Sequence, residues 1–258
     1  MKILVLLKMV PDVVEELEVA ADGASLDRGF LRLIINERDE NALEQALILK
    51  ERHQGEVVVL APEAPEVDDV LYTAMARGAD RAIKVTGLRE GLGSRASAAM
   101  LAGTLPGIAG LLPVDLVLTG CQAIDDLDGL VGPLVAAHLG LPYIGIVTGL
   151  DVDAGNVARC SREYSGGVRG RFEVDLPAVV GIQGAEKPPR YVPIAKVRAA
   201  MAAGGIETVP AVPGEEPGLL ETLEMRKPVV AGRAEMIAGE PDEIAARICE
   251  ILIGRGLL

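Results

Sequence analysis

The stretch DLVLTGCQAIDDLDGLVGPLVAAHLGLP, residues 115–142, places a buried strand, a glycine, an acidic loop and an apolar helix in that order. This is the order in which α/β proteins hold a phosphate, because N–H groups at a helix N-terminus attract anions. The loop instead carries Asp125, Asp126 and Asp128, and it contains neither a GxGxxG nor a Walker sequence. The stretch therefore indicates a fold, but it does not by itself identify a ligand.

Apolar segments on both sides of this stretch alternate between strand and helix patterns. Short aliphatic or β-branched runs predict strands at 2–8, 56–61, 81–85, 114–120 and 143–150. Helical spacing predicts helices from Asn36 to Gly55, from about Glu66 to Gly78, and over roughly 94–111 and 129–139. The alternation predicts an α/β fold with an open, mostly parallel, doubly wound sheet of Rossmann-like type. Ligands of such sheets bind at the carboxyl ends of the strands.

The pattern changes after residue 150. Alternating runs around Gly166-Gly167 predict an antiparallel hairpin that closes one side of the sheet. From residue 185 Pro and Gly become frequent, so we expect a core domain of residues 1–184 followed by a C-terminal extended arm, residues 185–258. The arm ends in an amphipathic helix from Pro241, whose isoleucine stripe we expect to dock on the main domain or on a partner.

Composition disfavours several function classes. A formal net charge of −13 disfavours binding to nucleic acid and to anionic membrane surfaces. No apolar run reaches the ~18 residues that span a bilayer, and no secretory leader is visible, so we expect a cytoplasmic chain. The three cysteines are far apart and there are two histidines, which favours isolated reduced thiols without a metal site or a catalytic triad.

The residues alone leave the loop 120–132 open to three interpretations. Its glycines allow a phosphate to approach the backbone closely. Alternatively, Asp128 caps the following helix while Asp125 and Asp126 are solvated. In a third interpretation the carboxylates bind Mg²⁺ or Ca²⁺.

Two further positions allow more than one interpretation. Asn36 is favoured as a plain helix cap over a ligand contact, while Arg38 in the first turn opposes the helix dipole unless it faces an anion. In PPRYVPIAKVRAAMAAGG, residues 188–205, Ile194 lies between prolines and cations. A stiffened apolar tip suits a protein docking point, but the side chain could equally pack on its own domain.

These segments, in this order, resemble the β subunit of electron-transfer flavoproteins. The matching pieces are ILVLLKMVPD, NERDENALEQALILKE, AMARGADRAI, DLVLTGCQAID with VGPLVAAHLGLP, and LPAVVGIQGAEKPPRY, which together span roughly residues 2–205. The pairing of G-x-Q-A-I-D after a strand with G-A-D-R upstream is specific to that family.

The resemblance implies an α/β core of the adenine-nucleotide-binding type that forms a heterodimer with an α subunit. In the family, FAD lies mainly on the α subunit, and the β subunit adds part of the flavin's surroundings and a buried AMP or, in electron-bifurcating relatives, a second FAD. Electrons pass between acyl-CoA or related dehydrogenases and a quinone oxidoreductase. The β subunit is then an electron-carrier subunit without catalytic residues of its own.

The resemblance also assigns site residues by position. The cofactor pocket would comprise Leu6, Asn36, Glu37, Arg38, Asp39, Pro62, Gly120, Cys121, Gln122, Ala123, Ile124, Asp125, Gly129, Leu130 and Val131. The residue that anchors the dehydrogenase falls on Ile194, with Tyr191 and Lys196 beside it.

The sequence departs from the family at the phosphate end of this pocket. Small polar residues and a glutamine normally follow A-I-D and the next acid, but here the chain reads D-L-D-G-L-V from Asp126 to Val131. At about 4 Å, Asp128 would oppose each phosphate charge by roughly 1–4 kcal/mol. Glu63 replaces a glycine, and Arg38 replaces an aromatic residue that faces the flavin.

Because of these departures, we expect a weakened or empty nucleotide site. The stretch after Ile194, RAAMAAGG, also loses most of the family's positive charge, which favours a different dehydrogenase partner. Two alternatives stay open at this point: a stand-alone adenine-nucleotide-binding domain, and a structural β subunit whose nucleotide site is empty.

Overall fold

A computed structural model of the chain describes residues 1–29, 31–88, 91–153, 156–212, 222–229, 232 and 234–258. Its strands are β1 (Lys2–Leu6), β2 (Met9–Pro11), β3 (Leu33–Ile35), β4 (Glu56–Pro62), β5 (Arg81–Thr86), β6 (Leu116–Gly120), β7 (Tyr143–Val147), β8 (Gly149–Val152), β9 (Val157–Glu163), β10 (Arg169–Asp175), β11 (Ala178–Ile182) and β12 (Ile206–Pro210). Its α-helices are α1 (Glu37–His53), α2 (Val67–Arg77), α3 (Ser94–Thr104), α4 (Val131–Leu139), α5 (Ile194–Ala203) and α6 (Pro241–Gly254).

Seven parallel strands form the central sheet, in the order β12-β5-β4-β1-β6-β11-β7. The order reverses beside β1, which pairs with β4 on one side and with β6 on the other, so the switch point lies between β1 and β6. Ile3, Leu4 and Val5 in β1 are fully buried because helices cover both faces of the sheet. The predicted open, parallel, doubly wound α/β sheet is confirmed.

Two aliphatic cores lie on the two faces of this sheet. On one face, Leu43 and Leu47 of α1 and Leu71 of α2 pack against the strands. On the other face, Leu101 of α3 and Val135 of α4 do the same. Each helix stripe repeats at three- or four-residue spacing, which is why these helices could be predicted from the sequence.

Some element boundaries differ from the expectations. The strand predicted at 143–150 is divided, because β8 leaves the central sheet and joins β9 and β10 in a separate antiparallel sheet. The hairpin around Gly166-Gly167 is confirmed as the connection between β9 and β10. The helix predicted at 94–111 ends at Thr104, before a 3₁₀ turn that contains Pro106. The strand β11 was not predicted, although it is fully buried between β6 and β7.

The first part of the predicted arm lies on the outer side of α1. Arg190 donates from Nε and Nη2 to the carboxylate of Glu44, at 3.0 and 2.9 Å, and from Nη1 to Glu51. The Glu44 side chain is only 4% exposed, so Arg190 neutralises a carboxylate that has little access to water. The division at residue 185 stays a prediction, but residues 206–210 continue the core sheet beyond β5 as β12.

The terminal helix α6 begins at Pro241, as predicted, and a reciprocal capping arrangement between Glu240 and Glu243 fixes its start. None of its residues is buried. Among the helices that the structure describes, none combines the length and the apolar character required to cross a bilayer.

Replacing Arg190 by Ala should lower the free energy of unfolding by about 3 kcal/mol, because the buried Glu44 carboxylate loses its countercharge. The double variant Glu44→Gln with Arg190→Ala should recover part of this loss. Urea unfolding measures both effects. The control is Arg226→Ala, which removes an exposed ion pair with Glu224 and should leave the free energy of unfolding almost unchanged. Equal losses at the two arginines would contradict the role of the buried pair.

Candidate functional site

A cavity of about 230 Å³ lies at the carboxyl ends of β1, β4 and β6. Leu6, Leu60 and Leu101 contribute to its apolar wall, and the loop between β6 and α4 closes one side. This is the position at which doubly wound sheets bind ligands. Of the residues predicted for the cofactor pocket, all except Glu37, Arg38, Ile124 and Asp125 line this cavity.

A buried carboxylate connects the elements around the cavity. Asp39, in the first turn of α1, accepts hydrogen bonds from the N–H of Lys8 at 2.8 Å and from the N–H of Gly120 at 2.7 Å. Burial raises the pKa of Asp39 to about 7, although both N–H donors favour the charged form. Asp39 is therefore more than an ordinary first-turn acid, because it joins the start of α1 to the ends of two central strands.

Gly120 is required by this close approach of α1 to β6. A Cβ atom at this position would lie 2.5 Å from Oδ1 of Asp39 and 2.6 Å from Cβ of Arg38. Such separations are far below van der Waals contact. The glycine at the end of β6 thus has a packing reason that is independent of any phosphate.

Asn36 and Arg38 have different partners from those expected. Asn36 occupies the N-cap position of α1, but its side chain makes no capping hydrogen bond; Nδ2 donates to the carbonyl oxygen of Gln122 at 3.1 Å. The expectation of a plain helix cap is therefore wrong, because the buried amide instead holds the loop after β6. Arg38 donates from Nη1 to the carbonyl oxygen of Gln183 at 2.7 Å, and the same nitrogen lies 3.9 Å from Oε1 of Glu37.

Lys8 neutralises part of the acidic loop. Its Nζ lies 2.7 Å from Oδ1 of Asp125 and 2.8 Å from Oδ2 of Asp126, so the expectation that these two aspartates are simply solvated is wrong. Burial lowers the pKa of Lys8, but the two carboxylates outweigh this effect and the net pKa is raised. Lys8 was not predicted as a site residue. The sequence signal that could have identified Lys8 as a site residue was its position as a cation just after the first predicted strand.

Asp128 lies two residues before Leu130, the N-cap of α4, and no side chain among the described residues makes a capping hydrogen bond to this helix, so the interpretation of Asp128 as the helix cap is wrong. Its Oδ1 accepts a hydrogen bond from the N–H of Leu130, at the N-cap position of α4, at 2.9 Å. Asp126 completes the loop by accepting from the N–H of Asp128 and the hydroxyl of Ser94, each at 3.3 Å. Within the part of the chain that the structure describes, no three His, Cys, Asp or Glu side chains are grouped to hold a metal ion.

Two groups at the end of β6 carry polar atoms beside or beneath the cavity. The Thr119 hydroxyl is buried and has no hydrogen-bond partner among the described residues. The Cys121 thiol donates to Oε1 of Gln183 at 2.9 Å, and burial raises its pKa. The thiol therefore stays protonated at neutral pH and is not a reactive thiolate.

The predicted docking residues lie away from this cavity, and none of the three lines it. Tyr191 is 86% exposed and Ile194 is 66% exposed, and Lys196 is exposed as well. Ile194 is the first residue of α5, so a helix follows where a docking loop was expected. The docking role of these residues stays a prediction.

The sequence is similar to known proteins along almost all of its length. Residues 28–213 match the family described as "Electron transfer flavoprotein domain". The chain is 31% identical to "Electron transfer flavoprotein subunit beta" of Methylophilus methylotrophus, over 98% of each chain. It is 34% identical to the protein of the same name from Syntrophomonas wolfei, over 97% of this chain and 95% of that one. It is also 33% identical to "Caffeyl-CoA reductase-Etf complex subunit CarD" of Acetobacterium woodii, over 75% of this chain and 72% of the relative.

The raised pKa of Asp39 predicts a pH-dependent stability. Between pH of about 4 and about 7 the folded chain retains a proton that the unfolded chain releases, so this carboxyl group destabilises the fold progressively as the pH rises. Asp39→Asn removes the titration. The difference in unfolding free energy between wild type and variant, favouring wild type, should therefore shrink across this interval. Urea unfolding at several pH values measures it, and parallel pH profiles would contradict the prediction.

Proposed function

This chain belongs to the electron transfer flavoprotein family as a relative of its β subunits, and from that membership we propose that it is the β subunit of an electron-carrying heterodimer. Similarity to β subunits over 98% of the chain is the observation that carries the proposal. The partner is an electron transfer flavoprotein α subunit, which holds FAD as the main flavin site. The cellular compartment we propose is the cytoplasm.

An exposed apolar stripe on α6 supports the need for a partner. Ile248 and Ile251 follow one another at three-residue spacing, and both are exposed. An amphipathic helix that has no buried residue is typical of a protein–protein contact. We propose that the arm, residues 185–258, packs on the α subunit through this helix.

The redox chemistry of such a heterodimer is that of the flavin, and protein groups set its position and its potential. This chain's own residues then act by binding the α subunit, shielding the flavin from water and docking the electron donor. We assign it no catalytic residue. Arg38 and Cys121 are both tied to Gln183 at the carboxyl ends of β6 and β11. They form a fixed polar edge rather than a set of proton donors and acceptors for bond-making chemistry.

We propose acyl-CoA or related dehydrogenases and a quinone oxidoreductase as the redox partners, with electrons passing from the dehydrogenase to the oxidoreductase or in the reverse direction. The relative that is named as a subunit of a caffeyl-CoA reductase complex supports a partner that acts on CoA thioesters. Ile194 is the proposed anchor for the donor, with Tyr191 and Lys196 beside it. All three side chains are exposed at or just before the start of α5.

The phosphate of an adenine nucleotide, which the family implies for the β subunit, does not fit the charges of this cavity. Asp128 already occupies the N–H of Leu130, and Lys8 is already paired with Asp125 and Asp126. We therefore derive no function of the chain through AMP or a second FAD.

Coexpression with α subunits from the same genome tests the heterodimer. The visible flavin absorbance should appear only in the copurified pair, at about one flavin per heterodimer, because this chain supplies surroundings rather than the main flavin site. Ile248→Asp should weaken the pairing by placing a charge in an apolar contact. The control is Val168→Asp, which changes an exposed valine in the turn between β9 and β10. A colourless chain that pairs with no α subunit would refute the proposal, and so would a lone chain that binds flavin fully.

Ile194→Ala should slow electron transfer from the dehydrogenase about tenfold, because the branched side chain would otherwise be buried in the donor's surface. The rate of flavin reduction by the dehydrogenase measures this effect. Flavin content should not change. Val168→Ala, at a side chain of similar exposure, serves as the control and should leave the rate unaltered. Loss of flavin in Ile194→Ala would mean that the side chain supports the heterodimer instead.

A further inference from the structure

We propose that Arg190 is the positioning residue of the docking tip, which we define as residues 191–194. Its attachment to the buried carboxylate of Glu44 on α1 fixes where Tyr191 and Ile194 stand before the dehydrogenase arrives. The inference rests on the proposed function, because it takes Ile194 as the anchor for the dehydrogenase. It goes further by assigning the position of that anchor to a residue of the core.

The docking tip receives little support from its own side chains. Tyr191 is 86% exposed and Ile194 is 66% exposed, so neither packs into the core of the described chain. Beyond the tip, α5 begins at Ile194 and lies against α2. The position of the tip therefore depends on α5 at one end and on Arg190 at the other.

Arg190 is bound to α1 through both its backbone and its side chain. Its N–H donates to Oε2 of Glu44 at 2.9 Å, and its Nε and Nη2 donate to the same carboxylate at 3.0 and 2.9 Å. Its Nη1 donates to Glu51. A planar guanidinium and a backbone N–H on one carboxylate fix the orientation of the residue as well as its place. Two prolines directly before Arg190 restrict the backbone further.

Two other side chains of α1 hold the segment that leads to the tip. Oδ1 of Asn41 accepts from the N–H of Ala185 at 3.2 Å, and Oε1 of Gln45 accepts from the N–H of Glu186 at 3.1 Å. These side chains and Glu44 follow one another at three- and four-residue spacing or as direct neighbours, so they face the same side of the helix. One polar stripe of α1 thus holds the chain from residue 185 to residue 190.

The burial of Glu44 makes the attached state the dominant one. Its side chain is only 4% exposed, so releasing Arg190 would leave a carboxylate without a countercharge and with little access to water. A partner that binds a tip already in place avoids the entropic cost of ordering it. If the tip held the binding geometry only about one-tenth of the time, the apparent affinity for the partner would fall about tenfold.

Glu44→Gln tests the proposal in the flavin-replete heterodimer. The variant removes the charge that holds Arg190 and leaves a neutral buried side chain, so the chain should stay folded. The probe is a dehydrogenase whose electron transfer is slowed by Ile194→Ala. Its half-saturation concentration should rise about tenfold, while the limiting rate of flavin reduction and the flavin content stay within about twofold of wild type.

Limited proteolysis of the full chain measures the attachment without a dehydrogenase. Trypsin cleaves after arginine, and Arg190 directly precedes Tyr191. Arg190 has to leave Glu44 before it can enter the protease, so this bond should be cut at least about fivefold faster in Glu44→Gln than in wild type. Mass spectrometry of the fragments 1–190 and 191–258 measures the rate.

Glu207→Gln is the matched control, because it neutralises the carboxylate of another arginine pair. Arg81 donates to Glu207 from Nε and Nη2, each at 2.9 Å, where β12 forms the edge of the central sheet. Cleavage after Arg190 and both kinetic constants should stay at their wild-type values. Equal changes in Glu207→Gln and Glu44→Gln would contradict the proposal.

Arg190→Lys is a second variant that keeps a cation beside Glu44 but lacks the planar guanidinium. The buried carboxylate retains its countercharge, so the chain should fold. The half-saturation concentration should lie between the values of wild type and Glu44→Gln. A value equal to that of wild type would show that the geometry of the arginine does not position the tip.

Three results for Glu44→Gln would overturn the inference alone, provided that Ile194→Ala slows electron transfer. Unchanged cleavage after Arg190 would show that the carboxylate does not hold the tip. Faster cleavage with an unchanged half-saturation concentration would show that docking does not depend on the position of the tip. Loss of flavin or of the limiting rate would assign Glu44 to the stability of the heterodimer. If Ile194→Ala slows transfer from no dehydrogenase, the proposed docking role fails, and this inference fails with it.

Discussion

The carboxylate of Asp39 fixes the geometry on which the rest of the site depends. At the carboxyl ends of parallel strands, backbone N–H groups no longer have a hydrogen-bond partner in the neighbouring strand. The N–H of Lys8, just after β1, and the N–H of Gly120, at the end of β6, both donate to the Asp39 side chain. Asp39 thereby holds the start of α1 against the switch point between β1 and β6. Because Gly120 has no room for a side chain, this junction admits very little variation in the position of the helix.

The acidic loop is stabilised by its own charges. Lys8 bridges Asp125 and Asp126, and Asp128 accepts a hydrogen bond from the N–H of Leu130, so the three carboxylates of the loop have partners within the protein. A glycine loop before a helix is commonly interpreted as a phosphate site, because the helix start needs an anion. In this chain a carboxylate of the protein, that of Asp128, lies directly before the helix and accepts from the N–H of Leu130. The layout of a phosphate site is thus retained while its charge is reversed.

More of the fold than of the candidate site could be predicted from the sequence. The continuous aliphatic runs of β1, β4, β5 and β6 identify buried parallel strands, because a strand that is covered on both faces carries apolar side chains on both of them. The strand β11 escaped prediction because its short apolar run follows a hairpin and looks like part of it. The helix α5 could have been predicted from the alanine-rich stretch after Pro193, since alanine is the best helix former. Lys8 could not have been paired from the sequence, because its partners lie 117 and 118 residues away.

The parallel pairing of β12 with β5 brings residues 206–210 back to strands formed by the first hundred residues. Without this late segment, β5 would be the edge strand of the sheet, with an open row of backbone N–H and C=O groups that is a template for pairing with other chains. The same five residues take over the edge position of the sheet, and the last of them, Pro210, has no N–H to offer to another strand.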